Sequence, residues 1–325
     1  MKRLLLSPTQ LGFMVWMFGL VAAVPGQEPA RKQTEGLPVK VQMHNVMYHF
    51  TDTVAVHIRS LGGELEPAGA LPVFDERNSF TLHIASAEIA ITPKALAEVL
   101  NSYVFAASNA PVKDISLRID KGLVQVKGKL HRHDDIGFEA EGELTPTSDG
   151  KIRLHLGKMR ALHLPVQGLM DLFGVEVADL IKTGKVRGVQ VEKDDLILDT
   201  EQVLPPPHIV GKVTKIHLEN DNIVQVFGGL EAYHWAPAPA KNYMAYRGNR
   251  LRFGKLTMDD TDMVLIDNDA RDPFDFYLDR YPEQLEAGYT KITKNFGLRV
   301  FMVDFNKLKL NKLNLNKLDQ QGKHR

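Results

Sequence analysis

The feature that most constrains this chain is a unit that recurs four times: an alternating apolar strand, a tight acidic or glycine turn, and a second alternating strand. The first copy runs from Ser116 to Val126 about Asp120-Lys121-Gly122, and the second from Val189 to Leu198 about Lys193-Asp194-Asp195. The third runs from Lys215 to Val226 about Asn220-Asp221, and a looser fourth from Leu256 through Asp259-Asp260 to Ile266. Apolar residues two apart on both sides of such a turn bury one face of an antiparallel pair and wet the other. A chain built this way makes sheets whose apolar face has to be covered, and none of the four units carries a catalytic constellation.

Two further strands are expected between Val39 and Leu61, closed by Gly62-Gly63, and a third from Phe80 to Ile91. Thr92-Pro93 then reads as a helix start, because Thr is a good N-cap and Pro is favoured at the first helical position. Leu96, Val99, Leu100, Tyr103 and Val104 follow at i, i+3, i+4, i+7 and i+8, one broad apolar stripe. The strand from Lys127 to Leu130 turns through His131 to Asp135 into Phe138, Ala140 and Leu144, and Ser148-Asp149-Gly150 turns it back again. A second helix is expected from Pro165 to Gly184, with Val166, Leu169, Met170, Phe173 and Val177 on one side. The expected fold class is therefore α+β and mostly antiparallel β. It is a curled meander sheet wrapping two amphipathic helices, with a β-rich C-terminal extension.

The N-terminus sets the expected address. Met1-Lys2-Arg3 precedes an apolar run from Leu11 to Val24 and the small residues Pro25-Gly26, the pattern of a secretory signal peptide or of an uncleaved N-terminal anchor. Either places the body outside the cytoplasm, periplasmic or secreted. The expected organisation is a signal peptide over 1–26, a linker over 27–38 and an antiparallel sheet with two helices over 39–204. After the stiff Pro205-Pro206-Pro207 connector comes a β-rich second unit, or a continuation of the same sheet, over 208–305, and then a basic Asn/Lys/Leu tail over 306–325.

Composition narrows the chemistry. The chain has no cysteine, which removes disulfides, thiolate metal sites and thiol nucleophiles. Its 40 basic and 40 acidic residues balance, which argues against nucleic acid as a partner, since phosphate binding draws on a basic excess. No Gly-x-Ser-x-Gly elbow, phosphate-cradling glycine loop or His-Glu-x-x-His helix is present. His131 and His133, with Asp134 and Asp135, are the nearest approach to an imidazole metal site, although they read better as a solvated hairpin tip. Asp267, Asp269 and Asp272 offer hard oxygen ligands of the kind Ca²⁺ takes, yet the spacing departs from the EF-hand loop and reads as an exposed acidic turn. No cofactor is implied.

The order from Ala87 to Leu204, with Ile91-Thr92-Pro93 and Asp120-Lys121-Gly122 as its most telling words, resembles the bacterial LmeA-like phospholipid-binding proteins and, more distantly, tubular lipid-binding domains. That resemblance implies a non-enzymatic, exported protein of lipid binding or envelope maintenance, with acyl chains held in an apolar groove between sheet and helices. The groove candidates are then Leu96, Val99, Leu100, Tyr103, Val104, Val166, Leu169, Met170, Phe173 and Val177, and the ligand is a phospholipid or another acyl-chain molecule. The lysines of the tail, Lys307, Lys309, Lys312 and Lys317, alternate with leucines and suit either an anionic membrane surface or a protected edge strand. The competing readings are a structural or adhesive β-rich envelope module that binds protein or polysaccharide, and a metal-dependent hydrolase.

Overall fold

The computed structural model describes residues 36–131, 135–157, 160–161, 186, 188–229 and 240–308. The signal-like N-terminus, the expected helix over 165–184, His133 and the tail beyond 308 lie outside these residues. Among the described residues no helix is long and apolar enough to cross a membrane.

The chain opens with β1 (Val39–His49), β2 (Ala55–Pro67) and β3 (Phe80–Ile91), an antiparallel meander, then α1 (Pro93–Val99) and a π turn over Leu100–Val104. A second meander follows: β4 (Val112–Asp120), β5 (Leu123–His131), β6 (Asp135–Pro146), β7 (Ile152–Leu156), β8 (Arg160–Ala161), β9 (Val189–Glu192) and β10 (Asp195–Leu198). The short α2 (Thr200–Val203) leads into β11 (His208–Val210), β12 (Val213–Glu219), β13 (Asn222–Gly228) and β14 (Tyr243–Gly248). The remainder comprises β15 (Leu251–Phe253), β16 (Leu256–Met258), β17 (Thr261–Asp267), β18 (Phe274–Tyr277), α3 (Tyr281–Glu286), β19 (Tyr289–Ile292) and β20 (Leu298–Met302).

These strands form an 11-stranded sheet ordered β12-β13-β3-β2-β1-β14-β17-β20-β19, with β11 beside β3 and β18 beside β1, and a 7-stranded sheet ordered β4-β5-β6-β7-β10-β9, with β8 beside β6. The pair β15-β16 stands apart. The expectation of one sheet wrapping two amphipathic helices is overturned. The fold is mostly β, with several sheets, and among the described residues both large sheets contribute side chains to one core, Val41, Leu61 and Ile84 from the first and Val126, Leu154 and Leu196 from the second. The physical reason is length, because α1 has only two turns and covers a small part of so wide a sheet.

Three neighbouring strands change phase along one line. The buried series on β1 runs Val39, Val41, Met43 and then Val46, Tyr48; the switch falls at Asn45, whose φ is +51°. On β2 it passes from Ile58 to Leu61 across a register shift at Ser60, and on β3 from Ile84 to Ala87 across another. Such irregularities bend and twist strands while keeping the apolar residues on one face. The partners change at the same places. β14 pairs with β1 up to His44 and β18 takes over from Val46, while β11 holds β3 at Thr81–His83 and β13 holds it from Ser86. Gly62-Gly63 therefore does not end the second strand, which runs on to Pro67. Gly63 is needed there for closeness, since a Cβ would lie 2.2 Å from the His83 carbonyl oxygen.

Three of the four repeated units are hairpins. Lys121-Gly122 and Asn220-Asp221 both hold two consecutive positive φ values, the primed turn that matches strand twist, and Lys193-Asp194 joins β9 to β10. The fourth is not. β16 pairs back onto β15 around Gly254-Lys255, and β17 pairs with β14 and β20 instead.

Candidate functional site

One face of β1–β3 borders an apolar slot. Its floor is made by Ile58, Leu61 and Leu65 of β2, Leu82, Ile84 and Ile89 of β3, and Phe227 of β13. Its roof comes from Leu96, Val99 and Leu100, from Ile152 of β7, and from Leu198, Val203 and Leu204 around α2. The empty space is about 1100 Å³ with the open mouth included, of which the centre of a water molecule has about 100 Å³ to occupy. The space open to a water centre is thus small beside the whole, most of which lies against the walls or at the mouth. Of its 26 described lining residues none is charged, and Tyr48, Thr200, Gln225 and Tyr246 alone carry polar side chains.

The roof is held by local chemistry. Thr92 Oγ1 accepts from the Ala95 N–H at 3.1 Å and Pro93 opens the helix, as the sequence predicts. Beyond Val99 the helix widens: the Phe105 N–H donates to the Leu100 carbonyl at 2.7 Å, five residues back. Asn101 fixes this π turn to β4, its Nδ2 donating to the Ile115 carbonyl at 2.8 Å and its Oδ1 accepting from the Ile115 N–H at 2.9 Å. The bond pattern mimics a strand partner, placed beside a register shift in β4.

The widened turn decides which of the groove candidates meet. Leu96, Val99 and Leu100 line the slot together. Tyr103 is 41% exposed and Val104 packs against the core, because a five-residue turn rotates the last positions off the stripe that a 3.6-residue period predicts. Val166, Leu169, Met170, Phe173 and Val177 lie outside the described residues. The floor on β2 and β3 was missed, since the phase changes break the period-two signal across these strands. Tyr246 was missed too. Its signal was the continuous run Tyr243-Met244-Ala245-Tyr246, all four buried, as in a strand covered on both faces.

Tyr246 is 1% exposed, and its hydroxyl has no hydrogen-bond partner among the described residues. The Phe74 ring meets it edge-on at 5.9 Å. Burial, and then the neighbouring Tyr48, push the Tyr246 hydroxyl well above its ordinary pKa. Burial also raises Tyr48, against the opposing charge of Arg77. Both are neutral phenols, able to donate.

The carboxylates of the 267–275 segment are arranged around a cation. Lys307 Nζ lies 2.7 Å from Asp269 and 3.5 Å from Asp272, and it also bonds Asp304. Burial alone would lower the Lys307 ammonium, but its bonds to Asp269 and Asp304 outweigh that and hold it above its ordinary value. Asp269 is held far below the usual carboxylate range by Arg271 and Lys307. The expected exposed turn is only partly so, for Asp267 and Asp275 are buried. Asp267 accepts from Asn242 Nδ2 at 2.8 Å and from the Asp269 N–H at 2.8 Å, and burial pushes its pKa up to about 6. Among the described residues no group of three or more His, Asp or Glu side chains is arranged to hold a metal ion. The His131 side chain is outside the description, although its backbone pairs with Asp135 across the β5–β6 hairpin.

No protein-family model, no curated protein and no solved structure matches this chain.

Proposed function

We propose that this is an exported, non-enzymatic protein that holds a lipid acyl chain in its apolar slot. The observation that carries the reading is the lining: 22 of the 26 described residues around the empty space are without a polar side chain, and none is charged. Each methylene buried there contributes about 0.8 kcal/mol, so the driving force grows with the length of chain that the slot admits. The signal-like N-terminus and the resemblance of residues 87–204 to LmeA-like proteins support the same reading. The test is organic extraction of the protein purified without detergent from a membrane-containing host, followed by mass spectrometry. Acyl lipid is expected near one equivalent per chain, and an extract free of acyl lipid would count against the reading.

A second reading, an envelope module that binds protein or polysaccharide, is favoured by β19. This edge strand is exposed at all four residues, and Ile292 and nearby Phe296 are 71% and 90% exposed. Exposed edges recruit partner strands. Crosslinking in the envelope that captures a protein at β19, with no lipid extracted, would favour it over the first.

A further inference from the structure

We infer that the Tyr246 hydroxyl donates a hydrogen bond to an uncharged oxygen of the bound lipid, the ester carbonyl of a neutral acyl ester. This rests on the lipid-slot reading and goes further by naming the ligand's chemical class. The first observation is the hydroxyl itself. Tyr246 sits on β14 between Val41 of β1 and Met263 of β17, its ring is flanked by Phe74, and it forms part of the slot lining. A side chain held in this way, 1% exposed, keeps its hydroxyl out of contact with bulk water. A buried donor without a partner is costly, and Phe would fill the same space without that cost. A ligand oxygen entering the slot removes the penalty.

The second observation is the absence of charge in the described lining. An ionised carboxylate or phosphate drawn into such a slot would lose its hydration with no cation in the described lining to replace it, a far larger cost than any tyrosine bond repays. Any charged group of the ligand therefore stays at the mouth. What reaches Tyr246 is neutral, and an ester carbonyl accepts where a hydrocarbon does not.

The test uses the full mature chain and two probes of equal chain length, glycerol monooleate and 1-octadecene, each competing with a fluorescent acyl reporter. In Tyr246→Phe, monooleate binding is expected to weaken about 3- to 10-fold, the worth of one hydrogen bond, with octadecene binding unchanged. Equal changes for the two probes, or none for either, would overturn the inference while leaving the lipid slot standing. Failure of both probes to displace the reporter from the wild-type protein would remove the slot reading and this inference together. Should the variant not fold, the infrared band of ¹³C-carbonyl monooleate bound to the wild-type protein decides. A band shifted down from its position in hydrocarbon solvent supports the bond, and an unshifted one refutes it.

Discussion

Phe296 is 90% exposed and holds a φ of +61°, in a turn where the Phe296 N–H donates to the Thr293 carbonyl and the Gly297 N–H to Thr293 Oγ1. A bulky side chain in the left-handed region is strained, and here it has little packing to offset that strain. Phe296→Gly is accordingly expected to raise stability, by about 0.5–1 kcal/mol, in urea unfolding. Asp267 is the other residue whose neighbours set an expectation. Its folded pKa of about 6 lies above the ordinary 3.8, so between these values the native state binds the proton that the unfolded chain releases. Stability from this group is thus highest below about pH 4 and falls as pH rises to about 6. In Asp267→Asn that descent should become shallower in the melting temperature measured between pH 4 and 7, since burial raises Asp304 in the same direction. A variant profile parallel to the wild type would show that Asp267 titrates normally.

Among the elements, α1 and its π turn matter most, because they carry Leu96, Val99 and Leu100 to the slot on one bracket, the Asn101 bonds to Ile115. Asn101→Ala leaves an N–H and a C=O of β4 without those partners and should cost about 1–3 kcal/mol in denaturant unfolding. Asn101→Asp retains the acceptor for the N–H but sets a carboxylate oxygen against the Ile115 carbonyl, and should lose at least as much. The start of this helix was legible, since Thr92-Pro93 is a local signal, but its departure into a π turn was not, because the Asn101–β4 contact is tertiary. Hairpins divide in the same way. Lys121-Gly122 and Asn220-Asp221 are read correctly from neighbours in sequence. The unit from Leu256 to Ile266 is misread because β17 finds its partners in β14 and β20, and Gly254-Lys255 makes the real turn.

At the scale of the whole molecule, the sequence announces antiparallel sheets with a face to cover, and it misplaces the cover. Helical stripes suggested filler for one curled sheet, whereas the described residues form several sheets, two of which share one core, and the slot lies against the large sheet under α1 and α2. The floor of the slot was hidden for a related reason. Asn45 and the register shifts near Ser60 and Ser86 are invisible to a period-two pattern, yet they set which residues of β1–β3 are buried. The cation of the carboxylate cluster was equally out of reach, since Lys307 stands 35 residues beyond Asp272. The central claim, that an acyl chain lies in this slot, is tested most directly by photocrosslinking. The mature protein is incubated with vesicles carrying a phospholipid whose acyl chain bears a diazirine, irradiated, and digested for peptide mapping. Labels should fall on β2, β3 and α1, at residues such as Ile58, Ile89 and Leu96. Labelling confined to β19 and the Phe296 turn, or no labelling of the protein, would contradict it.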